Sequence, residues 1–433
     1  MWRVCFASAA LIAAAPISAQ PAPAAAPSQA PAVADGALST RAQDVLAVLQ
    51  GGRPFETVFA PAFLQQVGVA QFHAITRQIT TAYGAPVAIE AVTPTGPFAG
   101  TIAIRFEKAI GRGTISVAPQ APHLVTGLLL QTFDAVDDSA TKIEAELAAL
   151  PGSVNAWFGP LDGATPPILA LAAQEPLALG STFKLYVLAA LSRAVGVGDR
   201  RWDEVVPLSG RSHPSGVVQE WPQGSPVTLQ TLATLMLQVS DNTATDQLIA
   251  LLGRDRVEAE LRRTNPDALR SLPFLTTREL FMVKADPQLR NRYAVADEAE
   301  RRRILASLPR ENAPLAQVSA VFAGRPVAVD TIEWFASPEA LQRLGQELAR
   351  PEHATARQLM SANRNLGDDA AARWQYVGYK GGSETGVLNL TWLLQDRQGR
   401  WHLLTVGWNN PDAPVDSATL DALAKRLLAL APE

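Results

Sequence analysis

Ser181 and Lys184 stand three residues apart in the run LALGSTFKLYVLAALSRAV. The positions that follow Gly180 are nearly all apolar, which predicts a buried helix starting at the serine. Residues three apart share one helix face, so the hydroxyl and the amine are neighbours. A serine hydroxyl attacks an acyl carbon only when a base takes its proton. A lysine desolvated in an apolar helix has its pKa lowered enough to be that base. The helix N-terminus also favours negative charge developing on the serine side. A Ser-x-x-Lys spacing alone is expected about once by chance in a chain this long, so other residues must decide the matter.

Two more groups bear on it. In VTLQTLATLMLQVSDNTATDQLIALLG a helix with Leu229, Leu232, Leu235, Met236 and Val239 on one face breaks at Ser240-Asp241-Asn242, and a new helix runs to Gly253. Asp241 reads as the N-cap of that second helix. Ser240 and Asn242 sit where a break between buried helices projects polar side chains into a cleft, as a proton relay and as a holder of a substrate amide. The third group is Tyr379-Lys380-Gly381-Gly382-Ser383. Consecutive glycines weaken a strand unless a ligand or another backbone must come close, and Lys380 would offer positive charge to a substrate carboxylate.

The elements that must position these residues read as an α+β arrangement. An amphipathic helix, 140–150, ends at Pro151-Gly152 and precedes strand-like runs at 154–158 and 168–173. At the far end, runs at 387–394 and 401–408 flank the turn Asp396-Arg397-Gln398-Gly399, and a helix over 417–430 closes the chain. Strands at both ends with helices between predict one sheet assembled from the termini of this domain. The charged stretch 284–311 reads as a solvated insertion. Upstream, helical spacing (Val45, Leu46, Leu49; Phe63, Leu64, Val67; Phe72, Ile75, Ile79) gives way to alternating runs near 88–92, 100–106, 114–117 and 124–130. Helices followed by a small antiparallel sheet are expected there, with no nucleophile or ligand cluster.

The first residues place Arg3 before an apolar run, 4–15, and small residues near Ala19, as in a cleaved secretory leader. The run is shorter than the roughly 20 residues needed to span a bilayer, so no stable membrane span is expected after cleavage. An Ala/Pro-rich tether over 20–37, a small domain over 38–134 and a larger one over 135–433 complete the expected organisation, with a periplasmic or secreted location. Cys5 is the only cysteine, so the mature chain carries no thiol. The five histidines are scattered, with no HxH or HExxH spacing, and no phosphate-binding glycine loop occurs. Neither metal nor other cofactor is expected, and a formal charge of −4 over 433 residues gives nucleic acid no purchase. The expected partner is a small-molecule substrate.

Ser-x-x-Lys, Ser-Asp-Asn and Lys-Gly-Gly, in this order and in these contexts, resemble the three signatures of class A β-lactamases and penicillin-binding proteins. The likeness spans most of residues 138–433. The upstream unit, with LPFLTTRELF at 272–281, resembles the two-domain branch that includes a hydrolase-like protein of clavulanic acid biosynthesis clusters. In that branch a small steroid-isomerase-like domain precedes a β-lactamase-like one, an antiparallel sheet flanked by helices. The resemblance implies Ser181 as nucleophile, Lys184 as base or proton relay, Ser240 as relay to the leaving group, Asn242 as substrate ligand and Lys380 as carboxylate anchor. It places the oxyanion hole at the N–H groups of Ser181 and Ser383.

This chain departs from the pattern twice. Gly381 stands where a hydroxyl that binds the substrate carboxylate is usual, with Ser383 as a partial substitute. The omega-loop Glu-x-x-Leu-Asn, whose glutamate activates the deacylating water, is absent between Asn242 and Lys380, leaving Glu279 and Glu333 as the nearest candidates. A serine hydrolase working through an acyl-enzyme, on a β-lactam, an ester or a D-alanyl peptide, is the expectation. The alternatives are a non-catalytic binding or sensor protein that is acylated once, and a protein whose functional centre is the N-terminal domain.

Overall fold

The structure is a computed structural model that describes residues 33–136, 138–309 and 311–431; the expected leader and most of the expected tether lie outside these residues. The chain divides into two compact units, Met1–Asp138 and Ser139–Glu433.

In the first unit, helices α1 (Val33–Leu49), α2 (Pro61–Gln66) and α3 (Val69–Tyr83) precede a four-stranded antiparallel meander, β1 (Pro86–Gly96), β2 (Ala99–Phe106), β3 (Ala109–Val117) and β4 (Val125–Ala135). Helix α1 begins inside the stretch read as tether. No proline falls within α1, which buries Leu38, Ala42 and Val45. Gly84, at φ +81°, ends α3 in a conformation that favours glycine. Strand β3 alternates, burying Ala109, Gly111, Gly113, Ile115 and Val117. Phe55, Phe59, Phe63 and Phe72 cluster within the core, with Phe55 stacked on Phe72 at 4.2 Å and Phe59 on Phe63 at 4.8 Å between ring centroids.

The second unit opens with α4 (Ala140–Ala148), β5 (Ser153–Pro160), β6 (Leu169–Leu171) and β7 (Leu177–Ala178). A 3₁₀ turn over Gly180–Phe183 leads into α5 (Lys184–Gly196). Then come β8 (Val205–Pro207), β9 (Pro226–Thr228), α6 (Leu229–Gln238), α7 (Asn242–Leu252), α8 (Arg254–Thr264), α9 (Thr277–Ala285), α10 (Pro287–Val295), α11 (Glu298–Ala306), α12 (Leu315–Phe322) and β10 (Phe335–Ala336). Helices α13 (Pro338–Ala349), α14 (Ala354–Met360) and α15 (Asp368–Ala371) lead to β11 (Tyr376–Glu384), β12 (Val387–Gln395), β13 (Trp401–Asn409) and α16 (Ser417–Ala429).

The sheet runs β11-β12-β13-β5-β6, antiparallel throughout, so the first and last strands of the unit do meet in one sheet. This is a mixed α+β fold with an antiparallel sheet flanked by helices. One face packs Trp392, Leu404 and Val406 against Leu420, Leu423 and Leu427 of α16. The other turns Leu393 and Leu403 toward α5 and α13. Helix α5 is buried at nearly every position, which follows from its run of Leu, Val and Ala with no charged face.

The stretch read as a solvated insertion behaves so over α10 and α11 but not at its first residue. Lys284 is fully buried, its Nζ donating to Glu333 at 2.8 Å and Glu384 at 2.6 Å. Charge density pointed to solvent; partners far away in sequence reversed the outcome for this residue.

Candidate active site

The turn that carries Ser181 is held between two segments. On one side, Leu179 N–H donates to the Trp334 carbonyl at 2.9 Å, and Phe183 stacks on the Trp334 ring at 3.6 Å. On the other side lies β11, the edge strand of the sheet, whose outward backbone groups need partners beyond β12. Gly382 of β11 permits this approach. A Cβ on Gly382 would overlap the Leu179 carbonyl oxygen and the nitrogens of Ser181 and Thr182. Gly180 sits at φ +49°, and a Cβ there would stand 2.7 Å from Ser383 N. The backbone nitrogens of Ser181 and Ser383 therefore flank the same small gap.

Lys184, fully buried one turn beyond Ser181, organises the polar cluster. Its Nζ lies 3.2 Å from Ser181 Oγ, 3.0 Å from Ser240 Oγ, 2.6 Å from the Ser240 carbonyl oxygen and 2.7 Å from Asn242 Oδ1. Burial, and secondarily the neighbouring Lys380 ammonium, hold Lys184 well below the usual lysine range, against the opposite pull of Asp246 and Asp241. Lys380 Nζ donates to Ser240 Oγ at 3.1 Å and to the Gly381 carbonyl, and burial pushes its pKa down to about 7. Two amines thus converge on one hydroxyl.

Ser240 occupies the break between α6 and α7 at φ +54°, a left-handed conformation that a non-glycine residue adopts at a cost. Its neighbour Asp241 holds the break in shape. Asp241 caps α7 through Ala244 N–H at 2.8 Å and accepts from Val217 N–H at 2.6 Å and Val218 N–H at 2.8 Å. Asn242 donates through Nδ2 to the His213 carbonyl at 3.1 Å, which fixes its Oδ1 toward Lys184.

Ser181, Lys184, Ser240, Asn242 and Lys380 are joined by these hydrogen bonds, while Gly382 and the Ser383 backbone close on the turn. Glu279 and Glu333 are engaged elsewhere. Glu279 accepts from Arg254 at 2.6 Å and from Thr276 N–H at 2.8 Å, completing a capping box at the start of α9. Glu333 pairs with Lys284 at 2.8 Å. Neither carboxylate bonds to any residue around Ser181. Strand alternation puts Lys380 and Gly382 on one face of β11 and Gly381 and Ser383 on the other. Tyr379 accounts for Gly381, since a Cβ at 381 would overlap the Tyr379 hydroxyl. The Ser383 side chain, exposed and on the face opposite Lys380, does not replace the absent hydroxyl.

Two participants escape a reading of motifs. Ser215 donates its hydroxyl to the Ser240 carbonyl at 2.7 Å, and nothing local in its sequence signals this. Asp246 lies four residues after Asn242 on the same helix face, a spacing that is legible in the sequence. It accepts from the N–H groups of Thr277 at 2.7 Å and Arg278 at 2.9 Å, and burial pushes its carboxyl up to about 6.

Residues 138–308 match the model of a family described as the Beta-lactamase enzyme family, a segment that contains Ser181, Lys184, Ser240 and Asn242. No curated protein matches the chain. Among solved structures, a β-lactamase from Sphaerobacter thermophilus is similar at 20% identity and a TM-score of 0.45, covering 67% of this chain and 94% of its own. One from Xanthomonas campestris is similar at 19% and 0.46, covering 67% and 95%. A protein named PBP-A is similar at 16% and 0.45, covering 67% and 94%.

Proposed function

We propose that this protein is a serine hydrolase of the penicillin-recognising type whose first chemical step acylates Ser181, a reading supported by the match of residues 138–308 to the Beta-lactamase enzyme family. The observation that carries the reading is the hydrogen-bond arithmetic at Lys184. A neutral amine has two N–H donors and one lone pair. The Ser240 carbonyl and Asn242 Oδ1 can only accept, and at 2.6 and 2.7 Å they take both donors. In the neutral form that burial favours, the lone pair is then left for a hydroxyl proton, from Ser181 or Ser240, as a general base requires.

In the proposed reaction Lys184 takes the Ser181 proton as Oγ bonds to the acyl carbon. The carbonyl oxygen becomes an oxyanion that accepts from Ser181 N–H and Ser383 N–H. Collapse breaks the bond to the leaving amine or alcohol, which takes a proton from Ser240, and the Lys184 ammonium returns one to Ser240. Lys380 binds a carboxylate of the substrate, and the second Nδ2 proton of Asn242 is available to a substrate carbonyl. A β-lactam, an ester and a D-alanyl peptide all fit this sequence of steps. Class A-type β-lactam hydrolysis is the specific form that the three motifs favour. The leader-like N-terminus supports a periplasmic or secreted location.

Deacylation is the slow half of this proposal. With Glu279 held by Arg254 and Glu333 by Lys284, no sequence-derived carboxylate stands beside Ser181 to activate water. This favours a long-lived acyl-enzyme, and with it the sensor-like alternative. Intact mass measured over time with excess chromogenic cephalosporin, beside Ser181→Ala, tests the reading. An adduct that requires Ser181 and outlasts colour development is expected. Absence of both a Ser181-dependent adduct and Ser181-dependent turnover across a β-lactam and ester panel would refute the acyl-enzyme.

A further inference from the structure

We propose that Lys284, Glu333 and Glu384 form a buried clamp that sets the spacing between the Ser181 and Ser383 N–H groups, and so act as positioning residues for acyl transfer. The inference rests on the reading of Ser181 as the acylated residue.

The three groups come from separate parts of the unit: the last turn of α9, the segment leading into β10, and the last residue of β11. Lys284 is fully buried, and its ammonium bridges the two carboxylates at 2.8 and 2.6 Å. The arms of this bridge end on opposite sides of the nucleophile turn. Glu333 precedes Trp334, whose carbonyl accepts from Leu179 N–H at 2.9 Å and whose ring stacks on Phe183. Glu384 follows Ser383, whose nitrogen lies against Gly180. Glu384 is also the last residue before the tight turn that joins β11 to β12, where it pairs with Val387. One ammonium therefore ties together the two walls between which Ser181 is held.

Charge balance says how the clamp is held. One ammonium with two ionised carboxylates would leave a net negative charge in the interior, which is costly. Burial, and then the adjacent Glu333, raise the pKa of Glu384 well above the usual carboxyl range, which favours its neutral form. Glu333 Oε2 is buried and has no other hydrogen-bond partner among the described residues, and it is the acceptor available for that proton. In the clamp as proposed, Lys284 and Glu333 form the ion pair, and Glu384 in its neutral form accepts from Lys284 and has Glu333 Oε2 as its acceptor. Packing alone does not call for such a group, since apolar residues of similar volume often stabilise a core as well or better.

The test uses that fact on the full-length protein. Lys284→Met/Glu333→Leu/Glu384→Leu removes every charge while keeping volume, and Glu384→Gln keeps the hydrogen bonds of a protonated glutamate. The acylation rate constant and the non-covalent Kd are measured separately for each, with Tm as control. The triple variant is expected to retain Tm and Kd but to acylate at least about tenfold more slowly, because a misplaced oxyanion donor lowers the rate of the chemical step rather than binding. Glu384→Gln is expected within about threefold of the wild type and Glu384→Leu about tenfold below it. A triple variant that folds and acylates within threefold of wild type overturns the clamp. Should the triple variant fail to fold, equal rates for Glu384→Leu and Glu384→Gln overturn it instead. A wild type that acylates with no probe refutes the Ser181 reading and not the clamp. Amide hydrogen exchange then decides, since the clamp requires residues 179–183 and 382–384 to lose protection together in Glu384→Leu, and separate behaviour overturns it.

Discussion

Replacing Gly180 by alanine isolates the contact on which acyl transfer depends. The residue sits at φ +49°, and the added Cβ would stand 2.7 Å from Ser383 N and 3.0 Å from Gly382 C. Ordinary contact begins near 3.4 Å, so strand β11 and the turn must separate by about 0.7 Å. Donors to an oxyanion work within a window of about 2.7–3.1 Å, so this separation takes Ser383 N–H out of range. Loss of one such donor costs about 10²–10³ in rate, or roughly 3–4 kcal/mol of transition-state stabilisation. The left-handed backbone adds a stability cost of about 1–2 kcal/mol, which lowers Tm by a few degrees. Gly399→Ala supplies the control, because Gly399 has φ +84° but a Cβ there meets nothing within 4 Å. Single-turnover acylation followed by intact mass, well below Tm, should show Gly180→Ala slowed about a hundredfold and Gly399→Ala unchanged. If Gly180→Ala acylates within threefold of wild type while Tm falls as expected, the gap between Ser181 and Ser383 is not the oxyanion hole.

Burial lowers Lys380 to about 7, so in the free protein it loses its proton as pH rises through that value, and carboxylate-bearing substrates should bind more weakly above it while a neutral ester does not. The same shift bears on stability. Between about 7 and 10.5 the unfolded chain holds a proton at Lys380 that the folded one has released, so the native state gains as pH rises through this window. Lys380→Met should therefore stabilise the fold at pH 6, by an amount on the order of 4 kcal/mol that shrinks toward pH 10, as followed by denaturant melts. Glu279→Ala should cost about 1–3 kcal/mol through the lost cap and Arg254 pair, yet leave the lifetime of the acyl-enzyme within threefold in a mass time course. A longer lifetime would restore Glu279 as a deacylation base. Phe59→Ala empties a fully buried site among four phenylalanines and should destabilise the first unit by about 3–5 kcal/mol in calorimetry; a loss under 1 kcal/mol would show that its core is not packed as described.

Local sequence determined more of the second unit than its length suggests. The helix that buries Lys184, the break at Ser240, the cap at Asp241 and the glycines of β11 are each set by a few adjacent residues. Helical spacing, side-chain capping and close backbone approach act over one or two turns. That is why the order of motifs was enough to assemble Ser181, Lys184, Ser240, Asn242 and Lys380. Ionisation and register were decided by contacts that sequence distance hides. Lys284 opens the charged stretch 284–311, whose composition predicts a solvated insertion, yet its two partners lie 49 and 100 residues away and take it into the core. Glu279 and Glu333 had the composition of a base and became a cap and an ion-pair partner once their cations were placed. Gly381 is explained by the Tyr379 hydroxyl on the same strand face, and Ser240 is held in a strained backbone by Asp241 bonding to a loop more than 20 residues upstream. A side chain's type fixes what chemistry it can do. Its charge state and aim depend on desolvation and partners, and only the folded chain brings those together.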